Sequence, residues 1–360
     1  MFRVIKPPGV YVQEISSASS KQIQGVSTST PVFLGETQKG PETPTLITSW
    51  LQFQTVFGGY FCEDKFLPYA VEGFFSNGGQ RLVIKKVCNN NYADALAELE
   101  SNPEVALVYV PNAQAVSGLA DLILNHCEKL HNRFAIIDSI KGQSPSNVSK
   151  PRASSYAALY YPWIQIRQSD TGKLILVPPG GHVAGIYART DLELGVNKAP
   201  ANQQVTVAVN LEFMVTEAQQ GSLNVQGINC IRSFTGRGIL VWGARTLASD
   251  PEFKYVNVRR FMIYLEQSIS KGTQWAVFEP NNQTTWTNVK TAVENFLYSC
   301  WQEGMLIGKK PQEAYFAKCD RTTMTQSDIE NGTLIIQVGV APVKPAEFMI
   351  FHISQKMVSP

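Results

Sequence analysis

The chain has almost no charge imbalance: 31 basic and 29 acidic side chains leave a net charge of +2. That balance leaves no broad basic surface, and nucleic-acid binding is excluded as a main function because it needs clustered Lys and Arg to displace counterions. There is also no run of the ~18 to 20 apolar residues that a membrane helix requires, so direct membrane insertion is not expected. The opening stretch, MFRVIKPPGVYVQEI, is broken by Lys6, Pro7, Pro8 and Gly9 and does not read as a secretion signal, which predicts a cytoplasmic start. Six cysteines (Cys62, Cys88, Cys127, Cys230, Cys300, Cys319) lie far apart with no CxxC pair. In an unexported chain such cysteines are reduced core residues.

Catalytic signatures are scarce as well. The nearest approach to a phosphate-binding loop, Gly308-Lys309-Lys310, lacks the upstream glycine and the hydroxyl residue. Gly25-Val26-Ser27-Thr28-Ser29 lacks the last glycine of a nucleophile elbow. Gly236-Arg237-Gly238 is two glycines of a dinucleotide fingerprint and reads as a turn. His126, Cys127 and His131 share one predicted helix, but neither spacing puts two ligands on one face, for which i, i+4 is needed. With four histidines in all, general bases are few. No cofactor, metal or catalytic residue is assigned. Arg259-Arg260 and Lys309-Lys310 are read as solvated charges. Cations at the start of a helix, where Arg259 and Arg260 fall, oppose the macrodipole unless an acidic partner offsets them.

What is present is a well-stocked core. Hydrophobic residues make up 44% and charged residues 17% of 360, which fits one large or two smaller globular domains. Residues 1–25 read as an arm: Pro7-Pro8-Gly9, a strand-like Val10–Ile15, and a polar leash, SSASSKQIQG. A six-residue strand on such a leash is poorly placed to pair inside its own domain, although an edge strand of the following domain is the plainer alternative.

From residue 26 to about 140, strand and helix patterns alternate. Strands are expected at 30–35, 81–87, 105–110 and 134–138, and helices at 50–57, 68–76, 92–100 and 116–130. The alternation predicts an α/β body with a mostly parallel sheet. A further helix is expected at 154–166. Pro178-Pro179-Gly180-Gly181 reads as a turn, and 205–215 and 236–245 as strands. Beyond residue 251 an α+β segment begins. Helices are predicted at 257–270 and 285–303, the second with Trp286, Val289, Val293, Phe296 and Cys300 on one stripe. QWAVFE between them reads as a strand. Three strands close the chain: 314–319, 333–340 with Leu334, Ile336, Val338 and Val340 on one face, and 347–353. Pro342 and Pro345 in the last connection argue against a tight hairpin.

Two stretches resemble the contractile tail sheath proteins of phages and related injection particles. One is PPGVYVQEISSASSKQIQGVSTSTPVFLGETQKGP, continued by Thr48-Ser49-Trp50 and Phe57-Gly58-Gly59. The other is VNVRRFMIYLEQSISKGTQWAVFEPNNQTTWTNVKTAVENFLYSCWQEGMLIGKKPQEAYFAKCD. Counted from Pro7 to Gly59 and from Val256 to Asp320, they span about 120 residues, a third of the chain. The resemblance implies a structural subunit, not an enzyme, that stacks as six-fold rings around an inner tube and contracts to drive the tube through a target membrane. It implies four parts: an exchange arm and leash (1–25), an outer α/β body (26–250), an inner, tube-facing C-terminal domain (251–341), and a linker with a second exchange strand (342–360). The donated strands would carry Val10, Tyr11, Val12, Ile15, Phe348, Ile350, Phe351 and Ile353. The receiving strands would carry Tyr315, Ala317, Leu334, Ile336 and Val338. Tube contact is assigned by analogy to the 285–303 helix with Glu303, Lys309 and Lys310. The implied partners are further copies of the chain, the inner tube protein, sheath paralogues, and baseplate and terminator or cap proteins. Assembly would take place in the bacterial cytoplasm, in a particle that acts outside the cell. A cap or baseplate-proximal paralogue is the nearest alternative and an α/β enzyme the more distant one. The compact length favours the sheaths of extracellular injection systems or bacteriocin-like particles over those of a large phage.

Overall fold

The computed structural model of the chain describes residues 22–347. Its body is a nine-stranded sheet built on parallel strands that read as continuous apolar runs, the pattern expected when both faces are covered. In spatial order the parallel strands are β3 (Leu82–Lys86), β1 (Pro31–Gly35), β4 (Leu107–Tyr109), β5 (Phe134–Asp138), β6 (Ala157–Tyr161) and β11 (Ile228–Phe234). Antiparallel β2 (Thr45–Ile47) flanks β3, and β12 (Gly238–Val241) and β9 (Gln203–Gln204) extend the other side. A second, three-stranded sheet runs β10 (Ala208–Leu211), β7 (Ile164–Arg167), β8 (Leu174–Val177).

The expected helices of the first half form as α1 (Trp50–Phe57), α2 (Leu67–Ser76), α3 (Tyr92–Glu98) and α4 (Leu119–Leu130). Local signals explain the ends of α1. Ser49 accepts from the Gln52 N–H at its start, and Gly58 leaves it at φ +87°, a conformation suited to glycine. Gly236-Arg237 is a turn, as expected: it joins β11 to β12, where Phe234 pairs with Gly238.

Three expected elements differ in kind. The predicted helix at 154–166 is β6, then Pro162, then β7. Nearly every residue there is apolar, so the run has no period, and Pro162 cannot sit inside a helix. The glycines after Pro178-Pro179 begin a helix, α5 (Gly180–Leu194), instead of closing a turn. Proline is tolerated at a helix start. Gly181 and Gly185 serve close packing on α2: a Cβ on Gly181 would lie 2.5 Å from the Ala70 Cα, and one on Gly185 would lie 2.4 Å from the Phe74 carbonyl oxygen. QWAVFE is one 3₁₀ turn, Gln274–Ala276, followed by a loop. Helix α6 (Glu217–Val225), opened by a Thr216–Gln219 capping box, lies between the strands expected at 205–215 and 236–245.

The C-terminal part contains α7 (Val256–Gly272), α8 (Gln283–Gln302), the single turn α9 (Pro311–Ala314), β13 (Tyr315–Lys318), α10 (Gln326–Glu330) and β14 (Gln337–Val340). It has a core of its own, in which Phe261, Leu265, Val293, Phe296 and Leu297 meet, with Ile336, Val338 and Val340 packed against them. Helix α7 also contributes Val256 and Ile263 to the core of the body.

Arg259 and Arg260 are not solvated. Arg260 and Asp191 of α5 form a bidentate pair whose side chains are 3% and 4% exposed. Arg259 stacks over Phe253 and Tyr156, 3.5 and 4.4 Å from the ring centroids. An acidic partner therefore does offset the cation at the α7 N-terminus, and it comes from the C-terminal turn of another helix.

Candidate assembly interface

The C-terminal part presents an antiparallel pair of strands over α8. Tyr315 pairs with Val340, Phe316 with Gly339, Ala317 with Val338 and Lys318 with Gln337. The two-residue period of a strand turns Ala317 and Val338 toward the core and Phe316 and Lys318 away from it. Gly339 accommodates this arrangement: a Cβ there would sit 2.1 Å from the Phe316 ring, so the half-exposed ring lies over bare backbone. Among the described residues no third strand joins this sheet. Both outer edges therefore keep backbone donors and acceptors without a ladder partner, a ready template for an added strand.

Of the residues expected on the receiving strands, Tyr315, Ala317 and Val338 are in the pair. Leu334 and Ile336 are not, because β14 begins at Gln337 instead of Thr333. Other bonds take up the preceding backbone. The Thr333 N–H donates to the Asp328 carbonyl, the Thr333 carbonyl accepts from Asn281 Nδ2, and the Ile335 carbonyl accepts from Thr323 Oγ1. Leu334 and Ile336 still point inward, with Trp286, Cys319 and Met324. The alternating pattern thus identified the buried face correctly but overstated the length of the strand.

The expected stripe on α8 is buried in full: Trp286, Val289, Val293, Phe296 and Cys300. Its outer face is nearly free of charge, with Asn288, Thr291, Asn295 and Ser299 exposed and one Lys290–Glu294 pair at 3.6 Å. Glu303 caps the far end of the helix and is exposed, as are Lys309 and Lys310. Trp301 Nε1 donates to the Gly308 carbonyl at 2.9 Å, which fastens the lysine loop to that end of α8. The Lys309 N–H donates to Glu313 at 2.9 Å. The three tube-contact candidates are thus brought to one end of one helix.

Both ends of the described chain run along this part of the molecule. Ile23 is buried in the second core, against Gly272, where a Cβ would lie 2.7 Å from it. The Val26 N–H donates to Ser268 Oγ at 3.1 Å, and the Thr28 carbonyl accepts from Arg260 at 2.9 Å. Residues 22–28 therefore track α7. They border a groove of about 920 Å³ lined by Ile23, Tyr264, Asn295, Phe296 and Glu303. At the other end, the Ile307 N–H donates to the Ala341 carbonyl and the Val343 N–H to the Met305 carbonyl, which holds 341–343 extended. Val10, Tyr11, Val12, Ile15, Phe348, Ile350, Phe351 and Ile353, expected on the donated strands, lie outside the described residues.

An α/β sheet invites a search for chemistry at the carboxyl ends of its strands. Asp138, at the end of β5, is fully buried, and burial pushes its carboxyl up to about 7. All its neighbours are donors from the chain itself: Tyr109 Oη at 2.8 Å, the Asn112 N–H at 3.1 Å and the Gly180 N–H at 2.7 Å. A Cβ at Gly180 would meet Tyr109 at 2.1 Å, so no room remains for a substrate beside it. Asp138 is a structural knot that ties β4, β5 and α5. Among the described residues no group of three or more His, Cys, Asp or Glu is placed to hold a metal, and no helix is long and apolar enough to cross a membrane.

Comparison with known proteins places the fold in a family. Residues 85–247 match the model of the phage tail sheath protein central domain, and residues 248–356 match that of the phage tail sheath C-terminal domain. The helical sheath of the anti-feeding prophage in its contracted state is 34% identical, covers 98% of this chain and 100% of its own, and superposes with a TM-score of 0.82. The sheath complex of the extracellular contractile injection system PVC, also contracted, is 33% identical over 99% of both chains, with a TM-score of 0.81. The tail sheath protein of Enterobacteria phage T4 is 27% identical over 180 residues, 49% of this chain but 26% of the phage protein. This chain belongs to the tail sheath family shared by contractile phage tails and contractile injection systems.

Proposed function

We propose that the chain polymerises as stacked six-fold rings around an inner tube, and that the rings shorten and widen together to drive the tube through a target membrane. The observation that supports this reading is the two-stranded β13–β14 sheet, both of whose edges are open among the described residues, in the part of the molecule along which both ends of the described chain run. The segment Val10–Ile15 of one neighbour and Glu347–Ile353 of another would add as strands to those edges. Main-chain bonds supply the affinity and alternate side chains the fit. At a net ~0.5 to 1.5 kcal/mol per bond, about five bonds and some apolar burial give a few kcal/mol per arm. Two arms per subunit in a closed lattice make that sufficient. Leashes between arm and body let the bodies rotate while the sheets stay joined.

In this reading residues 26–250 form the outer body and 251–341 the inner domain, with α8, Glu303, Lys309 and Lys310 toward the tube. The polymer is assembled in the bacterial cytoplasm, meets baseplate, cap and paralogous sheath subunits at its ends, and acts in a released particle. Deleting residues 1–16, or all residues after Pro345, should leave a folded body that makes no tubes in electron micrographs. Tubes formed by either truncation would overturn the exchange reading. Replacing Lys309 and Lys310 by Glu should impair polymerisation on tubes, and normal tube decoration would remove these residues from the contact. Purified full-length chain that stops at single rings would identify a baseplate-proximal paralogue instead; a baseplate structure of the anti-feeding prophage also contains a chain of this fold, 34% identical.

A further inference from the structure

Glu347 was expected to open the donated C-terminal strand. In the structure its carboxylate is held by its own subunit. Arg245 Nε donates to Oε1 at 2.7 Å and Nη2 to Oε2 at 2.6 Å; Tyr255 Oη donates to Oε2 at 3.1 Å, and Lys254 Nζ stands 3.6 Å away. The Arg245 and Glu347 side chains are 10% and 16% exposed. A bidentate, sheltered guanidinium–carboxylate pair is among the stronger polar contacts a protein makes. Arg245 holds its position independently of Glu347. Nη1 donates to the Asn224 carbonyl at 2.7 Å, and the Arg245 N–H and carbonyl both bond the side chain of fully buried Asn229. Lys254 and Tyr255 sit on the facing limb, joined to the first by the Thr246–Lys254 backbone bond and the Arg245–Tyr255 bridge. The receptor is therefore pre-organised.

Resting on the exchange reading, we propose that Arg245, Lys254 and Tyr255 form a clasp for Glu347 that forces the C-terminal strand to be donated to a neighbour. A strand leaving β14 has a competing partner close by, the open edge of β14 itself, which it would reach by turning back as a hairpin. Two tethers forbid that turn. Residues 341–343 are extended along Met305–Ile307, and the Val343 carbonyl accepts from Asn257 Nδ2 at 3.0 Å. The clasp then holds Glu347 against the body. Between the two tethers, Lys344–Ala346 make no hydrogen bond among the described residues. Releasing Glu347 frees 344–347, about 13 Å of extended chain at ~3.3 Å per residue, enough to reverse direction. The burial of Glu347 raises its carboxyl pKa, but Arg245 more than offsets this and the net direction is down, so the clasp is charged at neutral pH.

The test uses the full-length chain with Glu347→Ala and Glu347→Gln, alongside the truncation after Pro345. Hydrogen–deuterium exchange of the unassembled subunit is the deciding measurement. In Glu347→Ala the strand folds back, and the amides of Gln337–Val340 should exchange about tenfold more slowly than in the wild type, with Glu347→Gln in between. Tube yield should fall with that protection. Unchanged exchange at 337–340 in Glu347→Ala overturns the proposal, whether or not tube yield falls. The outcomes for the two readings are separable. If the truncation still forms tubes, strand exchange itself fails. If it does not, and Glu347→Ala leaves exchange at 337–340 unaltered, only the clasp fails.

Discussion

The Arg260–Asp191 pair offers the sharpest test of how the two parts of the subunit are joined. Arg260 lies near the N-terminus of α7 and Asp191 in the last turn of α5, so each charge opposes its own helix dipole. Only their pairing makes the arrangement tenable. Arg260 Nη1 donates to Asp191 Oδ1 at 2.8 Å, Nη2 donates to Oδ2 and to the Thr28 carbonyl, and Thr28 Oγ1 donates to Oδ2 at 2.6 Å. The guanidinium also lies 4.8 Å from the Tyr187 ring centroid. Arg260→Met would leave a buried carboxylate with the Thr28 hydroxyl as its remaining donor. Stranding a buried charge costs about 3–5 kcal/mol, and the retained hydroxyl argues for the lower end, about 3. Asp191→Leu strands the guanidinium at a similar cost. In the double variant both charges are gone and apolar groups fill the space. Such replacements are often neutral, so it should fall within about 1 kcal/mol of the wild type.

Urea unfolding of the unassembled full-length chain, followed by tryptophan fluorescence, measures all four corners of this cycle. The expected signature is a coupling of at least about 3 kcal/mol, with the double variant more stable than either single one. That is a large share of a typical 5–15 kcal/mol total. Because Thr28 shares the pair, each single variant should also cut faster near Ser27–Thr30 in limited proteolysis. A loss below about 1 kcal/mol for Arg260→Met, or a double variant as unstable as the two single losses combined, would refute the reasoning: the pair would then be solvated and the join would rest on apolar packing alone.

Three further outcomes are expected. His182 is fully buried beside Gly73 with no hydrogen-bond partner for either ring nitrogen, and burial lowers its pKa to about 4. The folded-state value lies below the unfolded one, so stability is lost as pH falls from about 6.5 to 4; between pH 7 and 4.5 the wild type should lose about 2–3 kcal/mol more than His182→Met in urea titrations. Phe278 is fully exposed at φ +67°, so Phe278→Gly should stabilise the unassembled subunit by up to about 1 kcal/mol; an equal or lower denaturation midpoint would show the strain to be absent. Gly185→Ala would push a methyl to 2.4 Å from the Phe74 carbonyl oxygen, and should cost about 1–3 kcal/mol by separating α2 from α5, read as a lower thermal midpoint.

The elements that were legible from the sequence are those whose signals are local. Helix α1 announces itself with Ser49 at its start and Gly58 at its end, and β1, β4 and β5 with apolar runs between polar turns. Helix α5 is hidden because it is buried nearly all round and begins with two glycines that serve close contacts, Gly180 with Tyr109 and Gly181 with α2, so neither period nor propensity marks it. β6 and β7 were lost for a related reason: a core run apolar at nearly every position has no period, and only Pro162 argued for the break. In the candidate interface, the alternation at Leu334, Ile336, Val338 and Val340 revealed the inner face. What shortens the strand is capture of Thr333 and Ile335 by Asn281 and Thr323, 52 and 12 residues away. The two ion pairs were illegible in the same way. Arg260 finds Asp191 across 69 residues and Arg245 finds Glu347 across 102; the place of Arg260 at a helix start calls for an acidic partner without naming one, and nothing sets Arg245 or Glu347 apart from a surface charge. Those distant pairings anchor the two ends of the described chain. A homologue of the same fold without these carboxylates would read as the same family and, on the exchange reading, should differ in how its subunits connect.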